Sequence, residues 1–280
     1  MQFNTTEQKS LYPDESFDYQ EAVPDALIAN PLVTTVAGMI EGDKPQVRVP
    51  FIKTDPTSGF VREGAVINDG GGELDEVLIT TGKVATLVTQ SNESASFQTA
   101  SQLIAAGVSR SIITSADQAF LNNPQAADPA DQNGPVGLLN TTGITTLSTN
   151  GDKIVDAIAD AKAGIGTNGG TPSAIIVNYA TEAILRKLAL NSGEKVLGSP
   201  SQAGQLTVFD MPVIVNNAMP DSQLFLTSAF EIVAAVGPVQ LATSGDALFN
   251  SDSLVRRATW RIGAKAIHPD RLALLTITSE

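Results

Sequence analysis

The chain has no cysteine and a single histidine among 280 residues. Disulfides, thiolate catalysis and sulfur-ligated metal sites are therefore excluded, and the composition fits a reducing compartment. A Ser-His-Asp arrangement would have to use His268, which sits before Pro269 in a turn between two expected strands. No GxSxG accompanies it. A metal held by one histidine needs carboxylates at ligand spacing, and none are so spaced. The structural reading of His268 is preferred. Aromatics make up only 5% of the chain, and no run of about 18 apolar residues exists, so no membrane span is expected. Cations are scarce: 17 Lys and Arg face 30 Asp and Glu, for a net charge of −13. Phosphate binding requires clustered Lys and Arg. The nearest approach is Arg256-Arg257 with Arg261 and Lys265. An acidic surface repels nucleic acid, which suits a container better than a reader.

What is present is enough for a real core. Apolar residues form 42% of a chain long enough for one large domain or two small ones. The first 25 residues are polar and acidic, without the apolar stretch of a secretory signal. They read as an extended arm, disordered unless a neighbour orders it. The most informative stretch is Gln46 to Ile79. Val47, Val49 and Phe51 alternate with Arg48 and Ile52-Lys53, the period of a half-exposed strand. A turn-rich tip, Asp55-Pro56-Thr57-Ser58-Gly59, follows. The return strand is expected over Phe60 to Ile67, with Gly70-Gly71-Gly72 as a flexible joint. An isolated hairpin is marginal in water. This one needs a surface to lie on, and the first inference is that another copy of the chain supplies it.

The strongest helical signal runs from Thr99 to Leu121. Ala100, Leu103, Ile104, Val108, Ile112, Ile113, Ala116 and Phe120 form one stripe at spacings of three and four. Asn122-Asn123-Pro124 stops it. Ile28 to Ile40 is a mixed segment and Leu74 to Thr89 is strand-like. Helices are expected over 152–163 and 181–190. Strands are expected over 173–177, 206–209, 213–216, 224–227, 231–236, 255–266 and 271–277. The fold class is α+β. Gly164-Ile165-Gly166-Thr167-Asn168-Gly169 matches GxGxxG, but a helix precedes it and a strand follows, the inverse of the dinucleotide order. It reads as a helix-to-strand loop. Glu73, Asp75 and Glu76 read as a solvated face, and Glu182 with Arg186 is an ordinary i,i+4 pair. The Ser/Thr-rich segments 91–101 and 141–149 read as caps and turns. No catalytic, cofactor-binding or metal-ligating residue is assigned.

The order of parts carries more than any motif. It runs from an acidic arm through a long hairpin and a long helix to Asp117-Gln118-Ala119-Phe120-Leu121-Asn122-Asn123. Gly134-Pro135-Val136-Gly137-Leu138-Leu139-Asn140 and an α/β insertion come next, then Met211-Pro212-Val213-Ile214-Val215, Met219-Pro220 and the last strands. This order resembles the major capsid protein of tailed bacteriophages, the Hong Kong ninety-seven fold shared with encapsulin shells. The resemblance implies an N-terminal arm (1–27), an extended loop hairpin (46–80) and a spine helix (99–121). It further implies a peripheral domain (28–45, 81–133 and 234–280) and an axial domain (134–233). In that family the extended loop lies across an adjacent subunit. The inter-subunit contacts expected here are therefore Arg48, Phe51, Lys53, Phe60, Arg62 and Glu63.

The implied function is a non-enzymatic head protein, self-assembling into pentamers and hexamers that enclose double-stranded DNA without reading its sequence. It would act in the virion capsid after assembly in the host bacterial cytoplasm. The implied partners are further copies of itself, a portal, a decoration protein as a candidate, and a separate scaffolding protein, because only about 25 residues of arm precede the body. Some relatives join subunits through a Lys in the extended loop and an Asn in the peripheral domain, helped by a Glu. Lys53 suits the first position, Asn250 falls near the second, and Thr259-Trp260 stand where the acid belongs. No isopeptide cross-link is expected. The alternative is an encapsulin enclosing cargo enzymes, whose amphipathic N-terminal helix has no counterpart in residues 1–25. A soluble α/β enzyme rests only on GxGxxG. A tail or decoration protein would not need the long helix.

Overall fold

The computed structural model describes residues 2–3, 25–39, 46–96, 98–128, 132–188 and 206–278. Most of the expected N-terminal arm lies outside them. The chain opens with β1 (Gln2–Phe3), then β2 (Thr35–Met39), β3 (Gln46–Thr54), β4 (Glu73–Thr80) and β5 (Gly82–Ser91). The short α1 (Asn92–Ala95) leads to the long α2 (Gln98–Asn122). There follow β6 (Thr145–Asn150), α3 (Ile154–Thr167), β7 (Ala174–Val177) and α4 (Tyr179–Lys187). The chain ends with β8 (Thr207–Val208), β9 (Met211–Val215), β10 (Gln223–Thr227), β11 (Ile232–Val236), β12 (Gln240–Leu248), β13 (Ser253–Ala266) and β14 (Ala273–Thr278). The architecture is α+β, as expected.

Two six-stranded mixed sheets form the body. The first has the order β1-β5-β13-β11-β2, with β12 also paired to β13. The second has the order β6-β14-β10-β7-β9-β8. Residues 273–278, grouped by sequence with the peripheral portion, pair instead with β6 and β10 in the second sheet. β3 and β4 form a separate two-stranded ribbon.

Helix α2 is the spine of the packing. Its 25 residues span roughly 37 Å. Ile112, Ala116, Phe120 and Leu121 are buried against Ala258, Trp260, Ile262 and Ala264 of β13 and against Ile176 and Phe225 of the second sheet. One helix thus seals both sheets. The other face of the second sheet is covered by Ile154, Ile158, Ala161 and Ile165 of α3 and Leu185 of α4, packed on Ile175, Val177, Leu224, Leu226 and Leu275. Burial on both faces explains why β7 reads as an unbroken apolar run rather than an alternation.

The helix ends are specified locally. Asn178 caps α4 by accepting from Thr181 N–H at 2.7 Å. At the end of α3, Gly170 N–H donates to Ile165 C=O (2.9 Å) and Gly169 N–H to Gly166 C=O (3.0 Å), with Gly169 at φ +84°. This is a Schellman ending, so the GxGxxG letters serve a helix stop. At the end of α2, the side-chain amide of Asn140 donates to the carbonyls of Asn122 (2.9 Å) and Asn123 (3.1 Å), and Gly137 N–H donates to Asn123 C=O (2.8 Å). The DQAFLNN and GPVGLLN segments therefore meet, the second wrapping the carbonyl end left open by the first.

Two elements of the body differ from the sequence expectation. Residues 145–150 form a strand at the edge of the second sheet, where Ser/Thr content suggested turns. Residues 240–248 form an exposed edge strand that carries no apolar alternation to mark it.

Candidate assembly interface

The ribbon is half anchored and half free. Its root alternates as expected: Val47, Val49 and Phe51 of β3 lie beside Val77 and Ile79 of β4, packed on Val233, Ala235 and Ile267 of the body. Register pairs Val47 with Ile79 and Val49 with Val77, so the apolar members share one face. Gly263 makes the seating possible. A Cβ there would lie 2.7 Å from Thr80 C=O and 3.0 Å from Ile79 Cγ2, too close for β4 to cross β13.

Beyond Phe51 and Val77 the burial ends. Ile52 and Leu74 are exposed although they are apolar and face each other across the ribbon. Phe60 is fully exposed, at 112%, and Val66 and Ile67 stand 85% and 79% open. The return strand is Glu73–Thr80, not Phe60–Ile67, and Gly70-Gly71-Gly72 lies at the base of the tip loop, directly before that strand. The reason lies in hydrogen bonding. Thr57 donates to Gly70 C=O from both its N–H (2.9 Å) and its hydroxyl (3.0 Å), which pinches off residues 58–69 as a loop. Gly71 at φ +66° and Gly72 at φ +136° supply turn conformations that side chains rarely adopt.

The six expected contact residues fall into three groups. Arg48 pairs with Glu76 and Lys53 with Glu73 (3.4 Å) across the ribbon, all more than half exposed. Such pairs contribute little each. Phe51 is half-buried, its ring meeting His268 edge-on at 5.4 Å and 86°. Phe60, Arg62 and Glu63 lie on the exposed tip, and the last two make no ion pair among the described residues. Sequence reasoning missed Ile52, Val66, Ile67 and Leu74 as exposed apolar residues. The signal available was the Gly-rich run, which marks a loop boundary better than a joint.

No catalytic constellation emerges among the described residues. His268 Nδ1 lies 2.6 Å from Glu231 Oε2, and Arg271 Nη1 donates to Glu231 Oε1 at 2.8 Å. The histidine is thus engaged in a structural pair. Among the described residues no group of three His, Asp or Glu could hold a metal, and no helix is long and apolar enough to cross a membrane. An open cleft of about 570 Å³ beside β6 and β14 is lined by Asn150, Asp152, Lys153, Ile184, Ser222 and Ile277. Trp260 is buried and donates from its indole to Gly237 C=O at 2.8 Å.

The protomer thus presents a long ribbon whose apolar tip is exposed. The model of the phage capsid family matches residues 22–277. The chain belongs to the phage capsid family. It is a major capsid protein, a structural subunit of the icosahedral head, and the encapsulin alternative is not favoured. The fold is shared with solved structures at low identity. A chain of Gordonia phage Cozz is 15% identical, with a TM-score of 0.71, covering 96% of this chain and 92% of its own. The capsid of an empty GTA particle is 16% identical at a TM-score of 0.71, covering 99% and 98%. A chain of Mycobacterium phage Bobi is 13% identical at 0.69, covering 99% of each. Among curated proteins, none matches the chain.

Proposed function

We propose that this capsid protein closes its shell by laying the ribbon across an adjacent copy within pentamers and hexamers that enclose double-stranded DNA. The supporting observation is the ribbon's split character: a root buried on its own body and a distal half whose apolar side chains are exposed. An exposed apolar cluster is unfavourable in a monomer and is removed from water when a neighbour covers it. Phe60, Arg62 and Glu63 would meet that neighbour directly. Arg48 and Lys53 would exchange or share their cross-ribbon partners, and Phe51 would hold the root in place. The net charge of −13 fits an enclosure that holds DNA without gripping it.

In this reading the first sheet with α2 is the peripheral domain. The second sheet with α3 and α4 is the axial domain, its boundary drawn to include 273–278. The partners of such a shell are a scaffolding protein, a portal and candidate decoration proteins. Assembly takes place in the host bacterial cytoplasm. Covalent cross-linking is not part of the reading, because no carboxylate stands at Thr259-Trp260 to assist Lys53 and Asn250.

Electron microscopy of the purified full-length chain tests it. Closed icosahedral particles are expected from the native sequence, and far fewer from the Arg62→Ala, Glu63→Ala double variant with its fold intact. A normal yield of particles from the double variant removes those two residues from the interface. A ladder of high-mass bands on a reducing denaturing gel of the particles overturns the absence of cross-links.

A further inference from the structure

The lone histidine occupies a place that the shell reading does not explain. Two short crossovers between the sheets lie side by side here: residues 228–231 between β10 and β11, and residues 267–272 between β13 and β14. They are stitched together by Ile267 N–H donating to Glu231 C=O at 2.7 Å. The Glu231 carboxylate, almost wholly buried, is gripped from both sides, by His268 Nδ1 (2.6 Å) and by Arg271 Nη1 (2.8 Å). Arg271 Nε then donates to Asn168 C=O (2.8 Å), and the Asn168 amide donates to Asp270 C=O (2.7 Å), which ties the end of α3 into the same knot. Both carboxylate oxygens are occupied, so the His268 ring has a fixed plane.

That ring is also the seat of Phe51. The edge-on contact at 5.4 Å is the only aromatic pair among the described residues. The other packing contacts of the two strands, Val47, Val49, Val77 and Ile79 on Val233, Ala235 and Ile267, are aliphatic and non-directional. They hold the ribbon down but do not set its heading. An aromatic pair has a preferred geometry and does.

We infer that His268 is a positioning residue for assembly: fixed by Glu231 at the junction of the two sheets, its ring sets the angle at which the ribbon leaves the body. The inference rests on the ribbon being the element that engages the next copy. Its consequence is that the sheet junction and the ribbon move together, so a change in the angle between the sheets redirects the tip.

The absence of cysteine makes a clean test available. Spin labels on Ser58→Cys at the tip and Asp160→Cys on α3 report the tip-to-body distance by pulsed EPR, in full-length chain diluted with unlabelled chain to suppress distances between copies. Two variants are compared. His268→Gln keeps a donor for Glu231 and loses the ring. Phe51→Leu keeps apolar bulk at a half-exposed position, so it folds even where the first variant does not. Each is expected to widen the distance distribution about twofold, by letting the ribbon sample headings the pair excludes, with little change in melting temperature. Loss of closed particles should accompany it. Unchanged widths in both variants, or in Phe51→Leu alone if His268→Gln does not fold, overturn the inference. Wider distributions with normal particle yield keep the joint and overturn the ribbon's role between copies.

Discussion

Replacing Phe60 with Ala separates a ribbon built for another copy from one that merely decorates its own. Phe60 is completely exposed in the protomer, so the substitution removes no contact from the fold. The melting temperature of the dissociated chain should stay put, since surface changes of this kind lie within about 0.5 kcal/mol. In the proposed contact between copies the situation reverses. Burying a Phe side chain contributes up to about 3 kcal/mol relative to leaving it in water, and most of that is lost with Ala, so about 2 kcal/mol per ribbon is at stake. At about 1.4 kcal/mol per factor of ten, the contact weakens roughly 30-fold. Each copy contributes one ribbon, so the concentration at which closed particles form should rise by a similar factor. Light scattering across a dilution series, with sedimentation to confirm particle size, reads that threshold. Calorimetry of the dissociated chain reads the fold. An unchanged threshold refutes the argument, and so does a melting temperature that falls by several degrees.

Other substitutions probe the fold beneath. Gly137→Ala places a Cβ 2.6 Å from Leu121 C=O and 2.7 Å from Asn122 N. Both are backbone atoms that cannot swing aside, so the 134–140 segment must lift from the end of α2. A loss of about 1–3 kcal/mol is expected from the overpacking, seen as a melting temperature several degrees lower. An unchanged melting temperature would show that the segment relocates at no cost. Asp117 is 3% exposed and accepts from Leu27 N–H (2.9 Å) and the Asn216 amide (2.7 Å). Burial lifts its carboxyl above the ordinary range, partly opposed by those two hydrogen bonds. A raised folded value means the folded chain takes up a proton at higher pH than the unfolded chain. Its contribution therefore favours folding increasingly as pH falls through the folded value, and is lost as pH rises above it. Wild type should gain stability on the Asp117→Asn variant between about pH 7 and about pH 4, measured by urea unfolding. A difference that stays flat across that range contradicts the assignment.

The amino-acid sequence by itself determined the elements whose signal is local. The α2 stripe predicts a helix over 99–121 and the helix spans 98–122, because 3.6-residue periodicity needs no partner to be visible. β7, β10 and β11 were legible as short apolar runs, and the GxGxxG loop as a helix-to-strand turn, because order along the chain excludes the dinucleotide geometry. The alternation of Val47, Val49 and Phe51 announced a half-buried strand.

What only the tertiary structure decided was pairing. The exposed edge strand 240–248 and the strand 145–150 bury too little to leave a pattern; long-range hydrogen bonds to β13 and β14 create them. The return strand of the ribbon could not be located from composition, since Phe60–Ile67 looks as strand-like as Glu73–Thr80. The choice was made by Thr57 bonding to Gly70 and by Val77 and Ile79 finding Val233 and Ala235. Glu231, His268 and Phe51 are far apart in sequence, and nothing local marks them as neighbours. Periodicity records which face of an element is buried, but not what buries it, and that remains a property of the folded chain.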